Sequence, residues 1–204
     1  MTHDEGFTRR EMRYLLRLTE EQQDKLRGSR FWRRLDFCIS LALLIVVALS
    51  IRAFIAEPIR VDGDSMYPTL THGEHMLVEK ASYWFRTPAR GEIIICYYPG
   101  YTESCVKRVI GLPGETVQIE GGIVYINGAP LDERLYWNDL IAGDYPAYTV
   151  PEGMVFVMGD NRNYSKDSRN ASVGAIPPEK VVGRVLGVLW PLDRFRLLSE
   201  VKYE

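Results

Sequence analysis

The sequence predicts a mainly β protein built from a single N-terminal transmembrane helix and an all-β domain after it. Three observations carry this. One long uncharged run breaks an otherwise mixed N-terminus. Short β-branched and aromatic runs, punctuated by Gly, Pro and Asn, fill the remainder. Apolar residues make 46% and charged residues 25% of 204, so a core can be buried and global disorder is excluded.

Residues 1–36 come first. The stretch RREMRYLLRLTEEQQDKLR (9–27) reads as a helix of mixed charge, solvated or interfacial, with no chemistry of its own. Arg27, Arg30, Arg33 and Arg34 crowd its end, with Asp36 the one close acid.

Residues 37–56 read FCISLALLIVVALSIRAFIA, uncharged except for Arg52. At about 1.5 Å per residue, such a helix spans roughly 30 Å, a bilayer core. A signal peptide has a short basic start and a shorter apolar stretch. Here 36 residues precede the run, so an anchor is expected. Positive-inside bias then puts residues 1–36 in the cytoplasm and residues 57–204 outside the cell membrane. The lipid bilayer is thus an expected partner.

Residues 57–204 change texture. EIIICYY (92–98), SCVKRVIG (104–111), TVQIEGGIVYING (116–128), GMVFVMGD (153–160) and VVGRVLGVLW (181–190) read as strands. Gly121-Gly122 and Asn127-Gly128 mark tight turns. The charge balance, 25 basic against 27 acidic residues, argues against a nucleic-acid partner. Three Cys are too few for a disulfide scaffold and lack zinc spacing. His3, His72 and His75 form no metal motif.

Three segments of this domain could carry chemistry. Ser65 lies in EPIRVDGDSMYPTL (57–70). Eight residues separate it from Ala56, so it lies within roughly 30 Å of the anchor's end at about 3.6 Å per residue. A serine among Gly and Asp is ordinarily a loop residue. Lys107 lies within the apolar run CVKRVIGLPGE. Alternation puts Cys105, Lys107 and Val109 on one strand face and Val106, Arg108 and Ile110 on the other, so one of the two cations points away from bulk water. Burial lowers an ammonium pKa, and a neutral amine can serve as the base that a serine nucleophile needs. From spacing alone, an edge-strand lysine facing solvent is the simpler reading. GDNRNYSKDSR (159–169) is the third segment, a polar loop directly after a hydrophobic strand.

Together these segments carry a resemblance. SMYPTL (65–70), RGEIIIC (90–96), KRVIGLPGE (107–115) and GDNRNYSKDSR (159–169) resemble, in order and spacing, successive boxes of the bacterial type I signal peptidases. The resemblance extends over 57–192. It implies a mostly antiparallel signal-peptidase-like catalytic domain, and an endopeptidase that removes signal peptides from exported preproteins through an acyl-enzyme. It implies Ser65 as nucleophile and Lys107 as general base. Ser165 would hydrogen-bond the amine, Asp167 and Arg169 would support the site, and Asp160 with Arg162 would brace the same loop. The Ser65 N–H would donate to the oxyanion. Gly63 stands where one branch of the family has a serine that donates its hydroxyl, so a backbone or water contribution is expected there. Ile59, Val61, Met66 and Val106 would line shallow pockets for small residues. No metal or cofactor is implied.

Two features stand apart. If Cys96 opposes Cys105, Ile94 opposes Lys107. A cross-strand disulfide and two free thiols are both open to such a pair. SYWF (82–85) with Arg86 suits either an aromatic core element, the simpler reading, or a headgroup layer. A self-cleaving repressor would carry a DNA-binding N-terminus in place of the span. A binding-only module would not need Ser65, Lys107 and Ser165 together. A membrane hydrolase of another substrate is the third alternative.

Overall fold

A computed structural model describes residues 30–50, 52, 55–137, 139–198, 201 and 203. The expected helix over 9–27 lies outside them. The chain divides into two units, residues 1–50 and 51–204.

Among its described residues the first unit holds α1 (Arg30–Ser50). Among the described residues, no helix is long and apolar enough to cross a membrane. The span expected over 37–56 is helical only in part among the described residues, since α1 ends at Ser50. Charged Arg33, Arg34 and Asp36 stand in the opening turns of α1. Ala56 is not helical but opens a strand. The apolar part of α1, Phe37 to Ser50, rises only about 21 Å. Cys38 is a free, exposed thiol on it.

Among the described residues the second unit is mainly β with short 3₁₀ turns, and its ladders are antiparallel. Seven strands form one sheet: β1 (Ala56–Arg60), β2 (His75–Glu79), β3 (Ile93–Tyr97), β4 (Ser104–Gly111), β9 (Phe156–Met158), β10 (Val181–Trp190) and β11 (Arg196–Leu197). Their order is β1-β2-β10-β3-β4-β9, with β11 beside β10. Four strands form the other: β5 (Thr116–Glu120), β6 (Ile123–Ile126), β7 (Ala129–Pro130) and β8 (Tyr145–Thr149), in the order β7-β6-β5-β8. Gly121-Gly122 joins β5 to β6, and Asn127-Gly128 joins β6 to β7. All four turn residues have positive φ, the geometry a two-residue hairpin requires.

The strand expected over 153–160 shortens to Phe156–Met158, because Gly153 turns the chain with φ 75°. The β3–β4 register is the expected one: Cys96 faces Cys105 and Ile94 faces Lys107. Apolar side chains bury themselves in three clusters, centred on Ile110 and Phe156, on Met66 and Val185, and on Ile94 and Val157. The second and third hold the two faces of β3 and so fix the strand opposite Lys107.

SYWF does not form a core element. Ala81–Trp84 is a single 3₁₀ turn, and Trp84 and Phe85 are exposed. Tyr83 alone packs inward, and its hydroxyl donates to Glu92, as does Arg86.

Candidate active site

Ser65 follows β1 on a turn that ends in Leu70 N–H donating to the Met66 carbonyl. Its side chain is half-buried and reaches a cleft of about 490 Å³. Lys107 enters the same cleft from mid-β4. Its Nζ is 2.8 Å from Ser65 Oγ and donates to the Val106 carbonyl, also at 2.8 Å. The side chain is only 3% exposed. Burial pushes the amine below its ordinary value of 10.5, while Cys105, Asp167, Cys96 and Asp160 pull in the opposite direction. Loss of solvation disfavours the ammonium, so the net effect favours an amine able to accept a proton. Both cations of the KR pair are buried, since Arg108 is also 3% exposed.

Arg108 and Asp160 join the elements that carry the site. Arg108 Nε donates to Asp160 Oδ1 at 2.7 Å, and Nη2 donates to Oδ2. Strand β4 is thereby tied to the 159–169 loop. Thr69 Oγ1 donates to the same Asp160 carboxylate, which ties in the Ser65 turn. Within the loop, Asp167 accepts from Gly159 N–H at 3.0 Å and from Arg169 Nε at 2.8 Å. Asn161 N–H donates to the Ser65 carbonyl at 3.0 Å.

Asp160 and Arg162 both contact the loop, each through partners of its own. Arg162, 1% exposed, donates to the Gly159 carbonyl and is held by Glu133, because the chain between β7 and β8 returns over the loop. Two other contacts differ from expectation. Ser165 Oγ does not bond the Lys107 amine; it is buried without a hydrogen-bond partner, and the amine is already engaged by Ser65 and Val106. Gly63 offers no free N–H, because that group donates to His72 Nδ1 at 3.0 Å. The Ser65 N–H, by contrast, has no partner among the described residues.

Ile59, Val61, Met66 and Val106 all line the cleft with Ser65 and Lys107, joined by Met76 and Ile95. Sequence reasoning missed Glu133, Thr69 and Gly159. A polar residue buried by a distant loop leaves no local periodicity, so Glu133 had no signal. Arg108 had one, as a second cation inside an apolar strand.

The model of the family described as "Signal peptidase, peptidase S26" matches residues 34–190. The chain belongs to this family. It is 42% identical over 171 residues to "Probable signal peptidase I-1" of a Synechocystis strain, covering 80% of this chain and 86% of that protein. It is 41% identical over 163 residues to "Signal peptidase I" of Leptolyngbya laminosa, covering 76% and 79%. With "Signal peptidase I" of Bacillus licheniformis the identity is 37% over 188 residues, covering 88% and 98%. As a member of the S26 peptidases, this chain is a serine endopeptidase.

Proposed function

We propose that this S26 peptidase is anchored in the cell membrane by residues 37–56, with residues 1–36 cytoplasmic, and removes signal peptides from exported preproteins with residues 57–204. One observation carries the chemistry: a buried amine 2.8 Å from a serine hydroxyl in an open cleft. Lys107, uncharged, takes the Ser65 proton. The alkoxide attacks the scissile carbonyl, and the Ser65 N–H stabilises the oxyanion. The Lys107 ammonium then gives its proton to the leaving amine, which becomes the N-terminus of the mature protein. Lys107 next takes a proton from water, whose oxygen attacks the acyl carbonyl; the ester bond to Ser65 Oγ breaks, the signal peptide leaves as a carboxylic acid, and the Lys107 ammonium returns the proton to Oγ.

Asp167, Arg169, Asp160 and Arg162 position the loop behind the amine, and Ser165 orients the amine as it titrates. Ile59, Val61, Met66 and Val106 admit small side chains beside the cut and exclude large ones sterically. Anchoring draws support from α1, where Phe37, Leu43, Leu44 and Val46 are all exposed, a surface that water disfavours. Arg27, Arg30, Arg33 and Arg34 set its direction.

The test is cleavage of a signal-peptide-bearing preprotein in detergent by wild type, Ser65→Ala and Lys107→Ala. Both variants should be inactive. Lys107→Arg should fail too, because guanidinium does not deprotonate in proteins. Equal activity in all the forms would refute the dyad.

A further inference from the structure

Cys96 and Cys105 take no part in the mechanism above, yet they lie against it. They face each other across the β3–β4 ladder, two positions from the Ile94–Lys107 pair. Cys105 and Lys107 therefore project from the same side of β4. The two sulfurs are 3.6 Å apart, and both thiols are free. Opposed residues in an antiparallel ladder hold their Cα atoms about 4.5–5.5 Å apart, inside the range of about 4.4–6.8 Å that a disulfide spans. Closing the bond thus needs rotation of side chains rather than movement of strands. Access is one-sided. Cys105 is half-buried and lines the cleft, whereas Cys96 is 0% exposed behind it.

We propose that Cys96 and Cys105 form a reversible thiol–disulfide site that tunes the base of the dyad; its action on the base rests on the Ser65–Lys107 reading. The oxidant is a small disulfide, RSSR. The Cys105 thiolate attacks one sulfur of RSSR, which gives a Cys105–S–S–R mixed disulfide and releases RS⁻. Cys96 then loses its proton and attacks the Cys105 sulfur, closing the protein disulfide and releasing the second RS⁻. Two protein thiols are oxidised, and RSSR is reduced to two RSH.

The coupling to Lys107 is electrostatic. The groups that bear on the amine are Cys105 on its own strand, Cys96 on β3, and Asp167 and Asp160 on the loop. The hydrogen bond with Cys96, aided by the Lys107 charge, holds the Cys105 thiol at about 7. A thiolate is thus present near neutral pH, where it favours the ammonium. A disulfide carries no charge. Asp167 and Asp160 keep their Arg169 and Arg108 partners in either state. Closure therefore removes one anion from beside the amine, and Lys107 gives up its proton at lower pH. Oxidation should raise kcat/KM on the acid side of the pH profile and leave the plateau unchanged.

The test uses the full chain in detergent, equilibrated with mixtures of reduced and oxidised glutathione, quenched with acid, unfolded and alkylated. Alkylatable thiols should fall from the three of the sequence to Cys38 alone, with two hydrogens lost from the intact mass. Cys96→Ala lacks the resolving thiol and should retain a glutathione adduct on Cys105. Wild type that keeps all its thiols under strongly oxidising mixtures would overturn the site. The profile of kcat/KM against pH then reads the coupling. The acid limb of the oxidised form should lie at lower pH, with about threefold more activity for each half pH unit by which the limb moves. Superimposable profiles with the bond formed would overturn the coupling alone. Failure of the dyad would show separately, as activity in Ser65→Ala or Lys107→Ala.

Discussion

Alanine at position 159 would put a methyl group where the two halves of the site already touch. A Cβ built on Gly159 meets Ser165 Oγ, the Ser65 carbonyl oxygen and Ser165 Cβ, all closer than the 3.0 Å that real Cβ atoms respect. The Ser165 Cβ contact, at 2.5 Å, must open to 3.4 Å before it is ordinary. No rotamer relieves that contact, and the Ser65 oxygen is backbone. The loop must therefore retreat from Ser65 by close to 1 Å, which also breaks the Asn161 N–H bond to that oxygen. A misplacement of about 1 Å lowers reaction rates by about a hundredfold. Overpacking destabilises by about 1–3 kcal/mol, which leaves the domain folded. The assay is kcat/KM for preprotein cleavage in detergent, with a thermal melt alongside. Gly159→Ala should melt cooperatively a few degrees early and lose roughly two orders of magnitude in kcat/KM. A folded variant with wild-type kcat/KM would refute the idea that this contact sets the Ser65–Lys107 geometry.

Three further outcomes are expected. Lys107→Met removes a buried amine whose folded pKa lies below its unfolded one. The unfolded chain then binds the proton more readily, so wild type loses stability as pH falls from the ordinary lysine value to the folded one. The variant should be the more stable at neutral pH, by about 1.4 kcal/mol for each pH unit by which folding lowers the amine's pKa, and the gap should close in strong alkali; urea melts at the two pH values check this. Asp160→Ala strands the buried Arg108 guanidinium and should destabilise by about 3–5 kcal/mol in the same melts. Ser165→Ala removes a hydroxyl that has no partner at rest, so stability should change by less than about 0.5 kcal/mol. Its kcat should fall by about tenfold or more if that hydroxyl bonds the amine during the reaction.

Much of this was legible in the sequence, for reasons that can be named. SCVKRVIG and VVGRVLGVLW coincide with β4 and β10, because both are dense in β-branched residues and end at turns. The β3–β4 register could be posed from the sequence only as a condition, that Cys96 opposes Cys105, and the ladder meets it. Strands β1, β2 and β8 escaped. AEPIR carries a proline and two charges, HMLVE is short, and YPAYT is a mostly exposed edge; β1 and β8 find partners only through tertiary pairing. The Ser65–Lys107 contact is 42 residues apart in sequence, so spacing could suggest it but not set its distance. The bracing residues took partners that spacing could not name. Asp160 and Arg162 are close in sequence, yet side chains on such a loop point apart. Each found a partner on a distant element, Arg108 on β4 and Glu133 after β7. The end of the apolar run was hard to read for a related reason: hydropathy counts residues and carries no sign of the strand pairing of Ala56 with Glu79.

The most direct measurement is an NMR titration of the Lys107 ε-methylene in the full-length protein in detergent, assigned by its loss in Lys107→Arg. The account predicts a pKa below the ordinary 10.5, coinciding with the acid limb of kcat/KM. An ordinary lysine value, or an activity profile that ignores the titration, would contradict it.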